Sequence, residues 1–378
     1  MRTKGDNLLM VADSEHDANM LYAVRMFVPD PFIYLRLNGK CHVVMSDLEI
    51  DRTRHEARHC RCLSLTQIQK TLQRDGIKKP TQARVIRHVL NRAHIRKVSV
   101  PYNFPLGLAR ELSKLRVKVK LTNGPIFPDR EVKTAEEVKK ISGALMMAEV
   151  GLAEGIQALK NAKVGRKRRL IYHNGPLTAE KLRAIIDTAI VQAGGLARNT
   201  IVACGRQGCD PHERGHGILR AGEPIIIDVF PRSQKTGYFG DITRTVVKGR
   251  AGEELRRVYH TIERGQELAF EHLRSKASAR EVHEKVQEFF TREGYKTGKL
   301  NGRLQGFFHG TGHGVGMDIH EAPRLGPNSS DTLRSGHVVT VEPGLYYLEL
   351  GGVRLEDIAL ITGSGPRNLT KFEKVLEV

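Results

Sequence analysis

Five side chains that commonly bind divalent metal ions follow one another in the second half of the sequence. They comprise four carboxylates and one imidazole: Asp228, Asp241, His313, Glu342 and Glu356. A carboxylate-rich set with one nitrogen ligand suits hard or borderline ions such as Mn²⁺, Co²⁺, Fe²⁺ or Zn²⁺. Four carboxylates carry about as much negative charge as two such ions carry positive charge. The set therefore predicts a site for two divalent metal ions.

The local sequences place these carboxylates in pairs. Asp228 ends the apolar run 225–227, where an unpaired buried carboxylate would cost several kcal/mol. We predict that Asp228 and Asp241 lie on consecutive strands joined by a turn at residues 233–237. A hairpin of this kind brings two carboxylates side by side.

A second hairpin is predicted for Glu342 and Glu356, with its turn near Gly351-Gly352. Two hairpins that each contribute two carboxylates can hold two ions about 3.5 Å apart, the separation found in two-metal hydrolases. His313 lies in a glycine-rich segment, residues 309–316, that allows the backbone to approach a metal ion and a substrate closely.

The ordered set resembles the ligand set of the pita-bread metallopeptidases: prolidase, aminopeptidase P, methionine aminopeptidase and their metal-free relative creatinase. The resemblance extends from about residue 131 to the C-terminus, and every ligand position of the family pattern is filled. It implies that Asp241 and Glu356 bridge the two ions. It also implies that Asp228 binds one ion, whereas His313 and Glu342 bind the other.

The resemblance implies catalytic roles for residues around the metal ions. Glu342 is expected to carry a proton from the attacking water to the leaving amine. His212, His309 and His320 are expected to bind the substrate, to stabilise the oxyanion and to contact the leaving nitrogen, without binding metal. His216 competes with His212 for one of these roles, and His212 is preferred because a proline precedes it.

Two further residues are expected to support the ligands. Thr243 and Arg354 resemble partners that orient Asp241 and Glu356 through hydrogen bonds. Arg354 is also expected to contact the substrate. The resemblance favours Mn²⁺ as the bound ion, and Co²⁺, Zn²⁺ and Fe²⁺ remain alternatives that the ligand types permit.

Two domains are expected, because 378 residues exceed the length at which a single hydrophobic core stops growing. The stretch 122–128, rich in Asn, Gly and Pro, predicts a boundary between residues 1–128 and residues 129–378. Hydrophobic spacing in the first part predicts helices at 15–27 and 81–95, a hairpin of strands 32–37 and 41–45, and strands at 97–100 and 117–121. The first part resembles the creatinase-like N-terminal domain of prolidase and aminopeptidase P.

The second part is predicted to begin with a long helix. Thr134 followed by Glu137 has the spacing of a capping box, and the helical pattern continues toward Leu159. Further patterns predict helices at 177–196, 253–273 and 279–290, and strands at 200–204, 224–230 and 238–247. The fold class is therefore α+β, and the resemblance implies a pita-bread domain, a curved antiparallel sheet covered by helices.

Charge and hydropathy bear on partners and location. Lys and Arg number 61 against 42 Asp and Glu, a formal net charge of +19. The basic residues are scattered, with concentrations at 52–61, 160–169 and 296–303 and no nucleic-acid-binding motif, so a solvated basic surface is favoured over nucleic-acid binding. No apolar stretch approaches the length of a membrane span. The apolar run 8–12 is too short for a signal peptide, and a cytoplasmic protein is predicted.

Five cysteines, an odd number, form no disulfide framework. His55, His59, Cys60 and Cys62 lie close together in sequence and could be interpreted as a zinc site. Zinc sites usually draw their ligands from two chain segments, and only one is present here. We therefore favour a helix end with ordinary thiols.

Several functions are compatible with parts of this sequence. The favoured function is metal-dependent hydrolysis of the Xaa-Pro bond in dipeptides, as in prolidase, and one alternative is hydrolysis of longer Xaa-Pro peptides, as in aminopeptidase P. Another alternative is a non-enzymatic scaffold that binds nucleic acid or protein. Methionine aminopeptidase is disfavoured because that enzyme lacks the N-terminal domain. Creatinase is disfavoured because it lacks the metal ligands, all of which are present here. The expected partners are Xaa-Pro dipeptides or short proline-containing peptides, together with a second copy of the chain in a homodimer.

Overall fold

A boundary between Pro128 and Asp129 divides the computed structural model, which describes residues 7–300 and 302–378, into two units. The first unit contains six strands and five helices among its described residues. Their bounds are β1 Leu8–Ala12, α1 Ala18–Val24, β2 Phe32–Leu37, β3 Lys40–Met45, α2 Ile50–Glu56, β4 Arg61–Ser64, α3 Leu65–Arg74, α4 Gln82–Arg92, β5 Lys97–Val100, α5 Leu106–Lys114 and β6 Lys118–Leu121.

The six strands of the first unit form one mixed sheet in the order β4-β3-β2-β1-β5-β6. The predicted hairpin of β2 and β3 is confirmed, and Asn38 and Gly39 adopt φ values of 48° and 77° at its turn. Two residues with positive φ match the twist of the strands they connect. β1 was not predicted, because its five residues read only as a short apolar run, yet it lies inside the sheet between β2 and β5.

The first helix is shorter than the sequence predicted. Asp17 caps it by accepting a hydrogen bond from the backbone of Met20, and Arg25, with a φ of 59°, ends it in the left-handed conformation. The helix predicted at 81–95 is confirmed as α4, with the Thr81 hydroxyl as its N-cap. Three helices and β4 were not predicted, and each of them is ten residues long or shorter.

Within its described part, the second unit contains four α-helices and many short strands. The helices are α6 Ala135–Asn161, α7 Ala179–Gln192, α8 Glu253–His272 and α9 Ala279–Arg292, with 3-10 turns at Pro128–Arg130, Arg166–Arg168 and Gly205–Cys209. The strands are β7 Lys163–Val164, β8 Leu170–Tyr172, β9 Gly175–Pro176, β10 Gly195–Leu196, β11 Ile201–Cys204, β12 Ile225–Val229, β13 Arg232–Ser233, β14 Ile242–Val246, β15 Gly298–Leu300, β16 Arg303–Gln305, β17 Gly312–Gly314, β18 Glu321–Leu325, β19 Val338–Val341, β20 Gly344–Tyr347, β21 Gly351–Arg354, β22 Asp357–Thr362 and β23 Gly365–Asn368.

Two antiparallel sheets of the second unit position the predicted ligands. One has the order β11-β12-β14, and the other has the order β18-β17-β19-β22-β23. They meet where the backbone N–H of Glu356 donates to the carbonyl of Thr243, 3.0 Å away. The apolar faces of α8 and α9 pack against β19, β21 and β22 in a shared core. Sheets covered by helices confirm the α+β, pita-bread expectation.

The long helices agree with their sequence patterns. Thr134 and Glu137 form the predicted capping box at the start of α6. The other three helices begin within two residues of their predicted first residues, because Thr178 and Ser278 supply N-caps and Gly252 precedes α8. Among the described residues, no helix has both the length and the apolar character needed to cross a membrane.

Both predicted hairpins differ from the observed connections. The chain between β12 and β14 is not a simple turn, because β13 leaves it to pair with β10 in a separate sheet. Gly351 and Gly352, predicted to be a turn, lie within β21, and the turn falls at residues 348–350. A Cβ added to Gly352 would stand 1.9 Å from the carbonyl oxygen of Gly208. Close backbone packing, and not a turn, therefore requires this glycine.

Candidate metal centre

A cavity of about 820 Å³ in the second unit brings the five predicted ligands together. Four of them are between 2% and 8% exposed, whereas the side chain of Glu342 is 21% exposed and reaches furthest toward solvent. The five residues are the ones that the sequence set singled out: Asp228, Asp241, His313, Glu342 and Glu356.

Strand ends position the four carboxylates. Asp228 lies in β12, and Asp241 directly precedes the neighbouring strand β14. Glu342 directly follows β19, and Glu356 directly precedes β22, the strand that pairs with β19. Because the last pair of that ladder joins the residues next to Glu342 and Glu356, these two carboxylates leave the sheet at the same point.

The imidazole of His313 faces this group from β17, beside β19. Its Nε2 lies 3.7 Å from Oδ2 of Asp241 and 3.5 Å from Oε1 of Glu342. Its Nδ1 donates to the carbonyl of Gly314 at 3.1 Å, so Nε2 carries the lone pair that points toward the carboxylates. Burial lowers the pKa of His313 to about 3, which keeps the ring neutral. This tautomer and charge are those of a metal-binding histidine.

The electrostatics of the cavity call for added positive charge. Burial, followed by repulsion among the carboxylates, raises the pKa of Asp241 and of Glu356 well above their ordinary values. Burial raises the pKa of Glu342 to about 7. Oδ1 of Asp228 is buried without a hydrogen-bond partner among the described residues. A donor set with an orphaned carboxylate oxygen and excess negative charge fits divalent cations.

Thr243 and Arg354, the two residues expected to orient ligands, each donate a hydrogen bond to one of the predicted ligands. The hydroxyl of Thr243 donates to Oε2 of Glu356 at 2.7 Å. Arg354 was expected to orient Asp241 or Glu356, but its Nη2 donates to Oδ2 of Asp228 at 2.7 Å. Its side chain is 3% exposed, and it forms part of the cavity wall. Arg354 therefore holds the carboxylate of Asp228 in place.

Tyr346 was missed in the sequence. Its hydroxyl accepts from Nη1 of Arg354 at 3.0 Å and lies 2.8 Å from Nε2 of His309. Nδ1 of His309 donates to the carbonyl of Gly310, and burial lowers the pKa of His309 to about 3. The neutral ring therefore accepts the Tyr346 proton at Nε2. A buried tyrosine four residues after Glu342, on the adjoining strand, was the available signal.

The other predicted histidines lie at different parts of the cavity. His320 stacks edge-on against His313, with ring centroids 4.4 Å apart, and burial lowers its pKa. His212 lines the cavity and is exposed. His216 does not line it, and its backbone and ring are held by Gln207. The structure thus places His212, and not His216, beside the predicted ligands.

A loop at residues 326–331 forms one wall of the cavity, and Arg324 stands next to it. The side chain of Arg324 is exposed, and none of the described residues makes a hydrogen bond or ion pair with its guanidinium. The carboxylate of Asp331 accepts the backbone N–H of Arg324, at 2.8 Å. The cavity therefore has an available cation at its wall.

Metal-free protein should lose stability as the pH rises. Carboxyl groups with raised pKa values stabilise the fold fully below about pH 4, and this contribution is lost as the pH passes through the raised values. His309 and His313, whose pKa values are lowered, act in the opposite direction, but their contribution is complete above about pH 6.5. Urea unfolding in chelator should therefore show falling stability from pH 6.5 to 8.5. Glu356→Gln should flatten this slope, and an unchanged slope would contradict the electrostatic account.

The sequence is similar to a known family and to individual members of it. The model of metallopeptidase family M24 matches residues 139–363. The chain is 30% identical over 285 residues to an Xaa-Pro dipeptidase of Pyrococcus horikoshii, covering 75% of each sequence. It is 32% identical over 248 residues to an Xaa-Pro dipeptidase of Pyrococcus furiosus, covering 65% of each.

Solved structures share the fold over nearly the whole length. An Xaa-Pro dipeptidase from Bacillus anthracis has a TM-score of 0.81 at 21% identity, covering 99% of this chain and 95% of the other. An X-Pro aminopeptidase from Thermotoga maritima also has a TM-score of 0.81, at 20% identity, covering 98% and 97%. At these identities the two likenesses establish the fold alone.

Proposed function

Since the chain belongs to metallopeptidase family M24, we propose that it hydrolyses the peptide bond that precedes proline, with dipeptides as preferred substrates. The observation that carries this proposal is the convergence of three buried carboxylates, one half-buried carboxylate and a neutral imidazole on one cavity. The names of the Pyrococcus relatives supply the substrate class. The dipeptide preference rests on Arg324.

We propose that the site holds two divalent ions, with Mn²⁺ as the natural metal. Asp241 and Glu356 would bridge the ions, Asp228 would bind one, and His313 with Glu342 would bind the other. When bound, such ions lower the pKa of a water molecule and polarise the scissile carbonyl. Glu342 would take the proton from the attacking water and release it to the leaving nitrogen, a role that suits the most exposed of the five ligands.

The auxiliary histidines would act on the substrate. His320, beside His313, would donate to the developing oxyanion, and His212 would contact the substrate from the exposed side of the cavity. His309 has no free N–H in the observed arrangement, since Nδ1 donates to Gly310 and Nε2 accepts from Tyr346. We therefore propose that His309 acts through Tyr346, by fixing the hydroxyl that holds Arg354.

Arg324 distinguishes a dipeptidase from an aminopeptidase P. In an Xaa-Pro dipeptide the free carboxylate lies within one residue of the scissile bond, so an unpaired guanidinium on the cavity wall can bind it. A longer peptide carries its carboxylate elsewhere and gains nothing from this cation. The alternative is an aminopeptidase P, which would cleave longer Xaa-Pro peptides, and the two functions differ in the substrate length that they prefer.

Further parts of the proposal concern the whole chain. We propose that residues 1–128 are a creatinase-like N-terminal domain and residues 129–378 the catalytic domain, in which the family match lies. A cytoplasmic homodimer is proposed as well. The five cysteines, free in the described structure, are consistent with a reducing compartment.

Substrate length and Arg324 can be tested together. Protein loaded separately with Mn²⁺, Co²⁺ or Zn²⁺ would be assayed on Ala-Pro, Ala-Pro-amide and Ala-Pro-Ala. Arg324→Gln should raise KM for Ala-Pro by about 10–100-fold, the effect of losing one charge-assisted contact, and should change the amide much less.

Arg274→Gln is the matched control, because Arg274 is also exposed but does not line the cavity. If the wild type cleaved Ala-Pro and Ala-Pro-Ala equally well, and Arg324→Gln did not change KM for Ala-Pro, the proposed function would be that of an aminopeptidase P.

A further inference from the structure

A second cluster of metal-binding side chains lies in the N-terminal unit, in a different unit from the carboxylate site. Cys41, His59 and Cys60 each offer one ligand atom, and these atoms all lie within 4.8 Å of one another. We propose that these three residues bind a thiophilic metal ion such as Zn²⁺. Two sulfurs and one imidazole nitrogen are the ligands that such an ion prefers.

The fold supplies the second chain segment that the sequence pattern lacked. β3 and β4 pair in parallel with His42 opposite Arg61, so Cys41 and Cys60 lie side by side just before the ladder. His55 and Cys62, which shared the cluster in sequence, are not members of the spatial group. The sequence predicted a helix end with ordinary thiols. The structure instead shows a group of three residues from two segments, Cys41 in β3 and His59 with Cys60 after α2.

The hydrogen bond of His59 leaves one of its ring nitrogens available to a metal ion. Its Nε2 lies 2.8 Å from the carbonyl oxygen of Ala23, which can only accept a hydrogen bond. Nε2 therefore carries the proton, and Nδ1 keeps the lone pair that a metal ion requires. Histidine ligands commonly donate their other ring N–H to a backbone carbonyl in this way.

The two thiols form a hydrogen bond with each other. The hydrogen bond from Cys60 is the largest cause that lowers the pKa of Cys41, and Arg36 and Tyr34 lower it further. The same pairing raises the pKa of Cys60. An ion that binds both sulfurs replaces the thiol protons, which pass to solvent, and forms two metal–sulfur bonds and one metal–nitrogen bond without any change in oxidation state.

Space and access agree with this assignment. Tetrahedral zinc with Zn–S near 2.3 Å and Zn–N near 2.0 Å separates its ligand atoms by roughly 3.5–3.8 Å, within the observed limit. Cys60 is buried, Cys41 is half-buried, and His59 is exposed, so an ion can enter from solvent. Water would fill the fourth position. The ion would link β3, the segment after α2 and, through Ala23, helix α1.

Cobalt substitution provides a direct test on the full-length chain. Reduced, chelator-treated protein would be titrated anaerobically with Co²⁺ and its absorption recorded. Thiolate ligands produce an intense near-ultraviolet charge-transfer band, which a site of carboxylates and imidazole cannot produce. We expect this band, at saturation, to have the intensity of about one thiolate-bound ion per chain and to disappear when Zn²⁺ is added.

Variants assign the band to its ligands. Cys41→Ser and Cys60→Ser should abolish it, and His59→Asn should weaken Co²⁺ binding by about 10-fold or more. Cys62→Ser is the matched control, since Cys62 lies in β4, two residues after Cys60, and packs against the same core yet is outside the group. It should keep the full band.

Because Cys60 is buried, far-ultraviolet circular dichroism would check that its variant folds, and the exposed His59 provides a variant that does not depend on this result. No sulfur band in the reduced wild type would overturn the proposal. A band that survives Cys41→Ser but is lost in Cys62→Ser would overturn it equally.

Discussion

Asp241→Ala should leave the carboxylate site without either metal ion and should reduce Xaa-Pro hydrolysis by roughly 10³-fold or more. A bound ion contributes several kcal/mol of transition-state stabilisation, and each 1.36 kcal/mol is a factor of ten in rate. Asp241 stands 3.7 Å from His313 and shares a group with Glu356, so its carboxylate lies between the two sides of the site. Its removal should therefore affect both ions.

Metal analysis after loading with excess Mn²⁺ gives the decisive measurement. The wild type should retain about two ions at the carboxylate site, and the variant none. To keep the thiol cluster out of this count, both proteins would carry Cys41→Ser. Asp318→Ala is the control, since Asp318 is exposed and lies outside the cavity lining. Two tightly bound ions in Asp241→Ala would refute the ligand assignment.

The loss of a buried carboxylate has a second, opposite consequence. Burial, and after it repulsion among the carboxylates, raises the pKa of Asp241, so the metal-free wild type holds this group at a cost to its stability. Without metal, the variant should therefore resist urea better than the wild type at pH 8. With metal, the order should reverse, because only the wild type gains stability from binding.

That these five residues meet in one cavity could be predicted from sequence, because each one carries a local signal. Asp228 ends an apolar strand, and His313 lies among glycines that bring it to the neighbouring strand. The partners of these ligands could not be predicted, because they depend on strand register. Arg354 contacts Asp228 across 126 residues, and Tyr346 joins it to His309 only because β20 pairs with β21. The turn predicted at Gly351-Gly352 implied a different register, in which Tyr346 did not lie beside Arg354.

The N-terminal unit shows the same limit in another form. The hairpin of β2 and β3 was predictable because Asn38-Gly39 determines its turn. The parallel pairing of β3 with β4 has no local signal, since helix α2 separates the two strands. Cys41 and Cys60 are 19 residues apart in sequence and meet only through this pairing. The cluster was consequently interpreted as ordinary thiols.

Glu342→Gln should abolish hydrolysis of Ala-Pro while the chain remains folded. Glutamine preserves the size of the side chain but cannot take a proton from the attacking water, and loss of a general base typically costs about 10²–10⁴ in rate. Because proline supplies no amide hydrogen, its nitrogen must receive a proton as it leaves. We therefore expect Mn²⁺-dependent cleavage of Ala-Pro far above Ala-Ala in the wild type, and none measurable in the variant.

The control for this variant is Glu349→Gln, an exposed glutamate in the turn between β20 and β21, which should retain full activity. Circular dichroism would show that both variants fold. The competing function is a scaffold, which the net charge of +19 would suit. If metal-loaded wild type left every Xaa-Pro substrate intact and bound nucleic acid with an affinity that fell steeply with salt, the scaffold would replace the peptidase. Glu342→Gln would then leave that binding unchanged, because one half-buried carboxylate inside a cavity contributes little to a surface that binds phosphates.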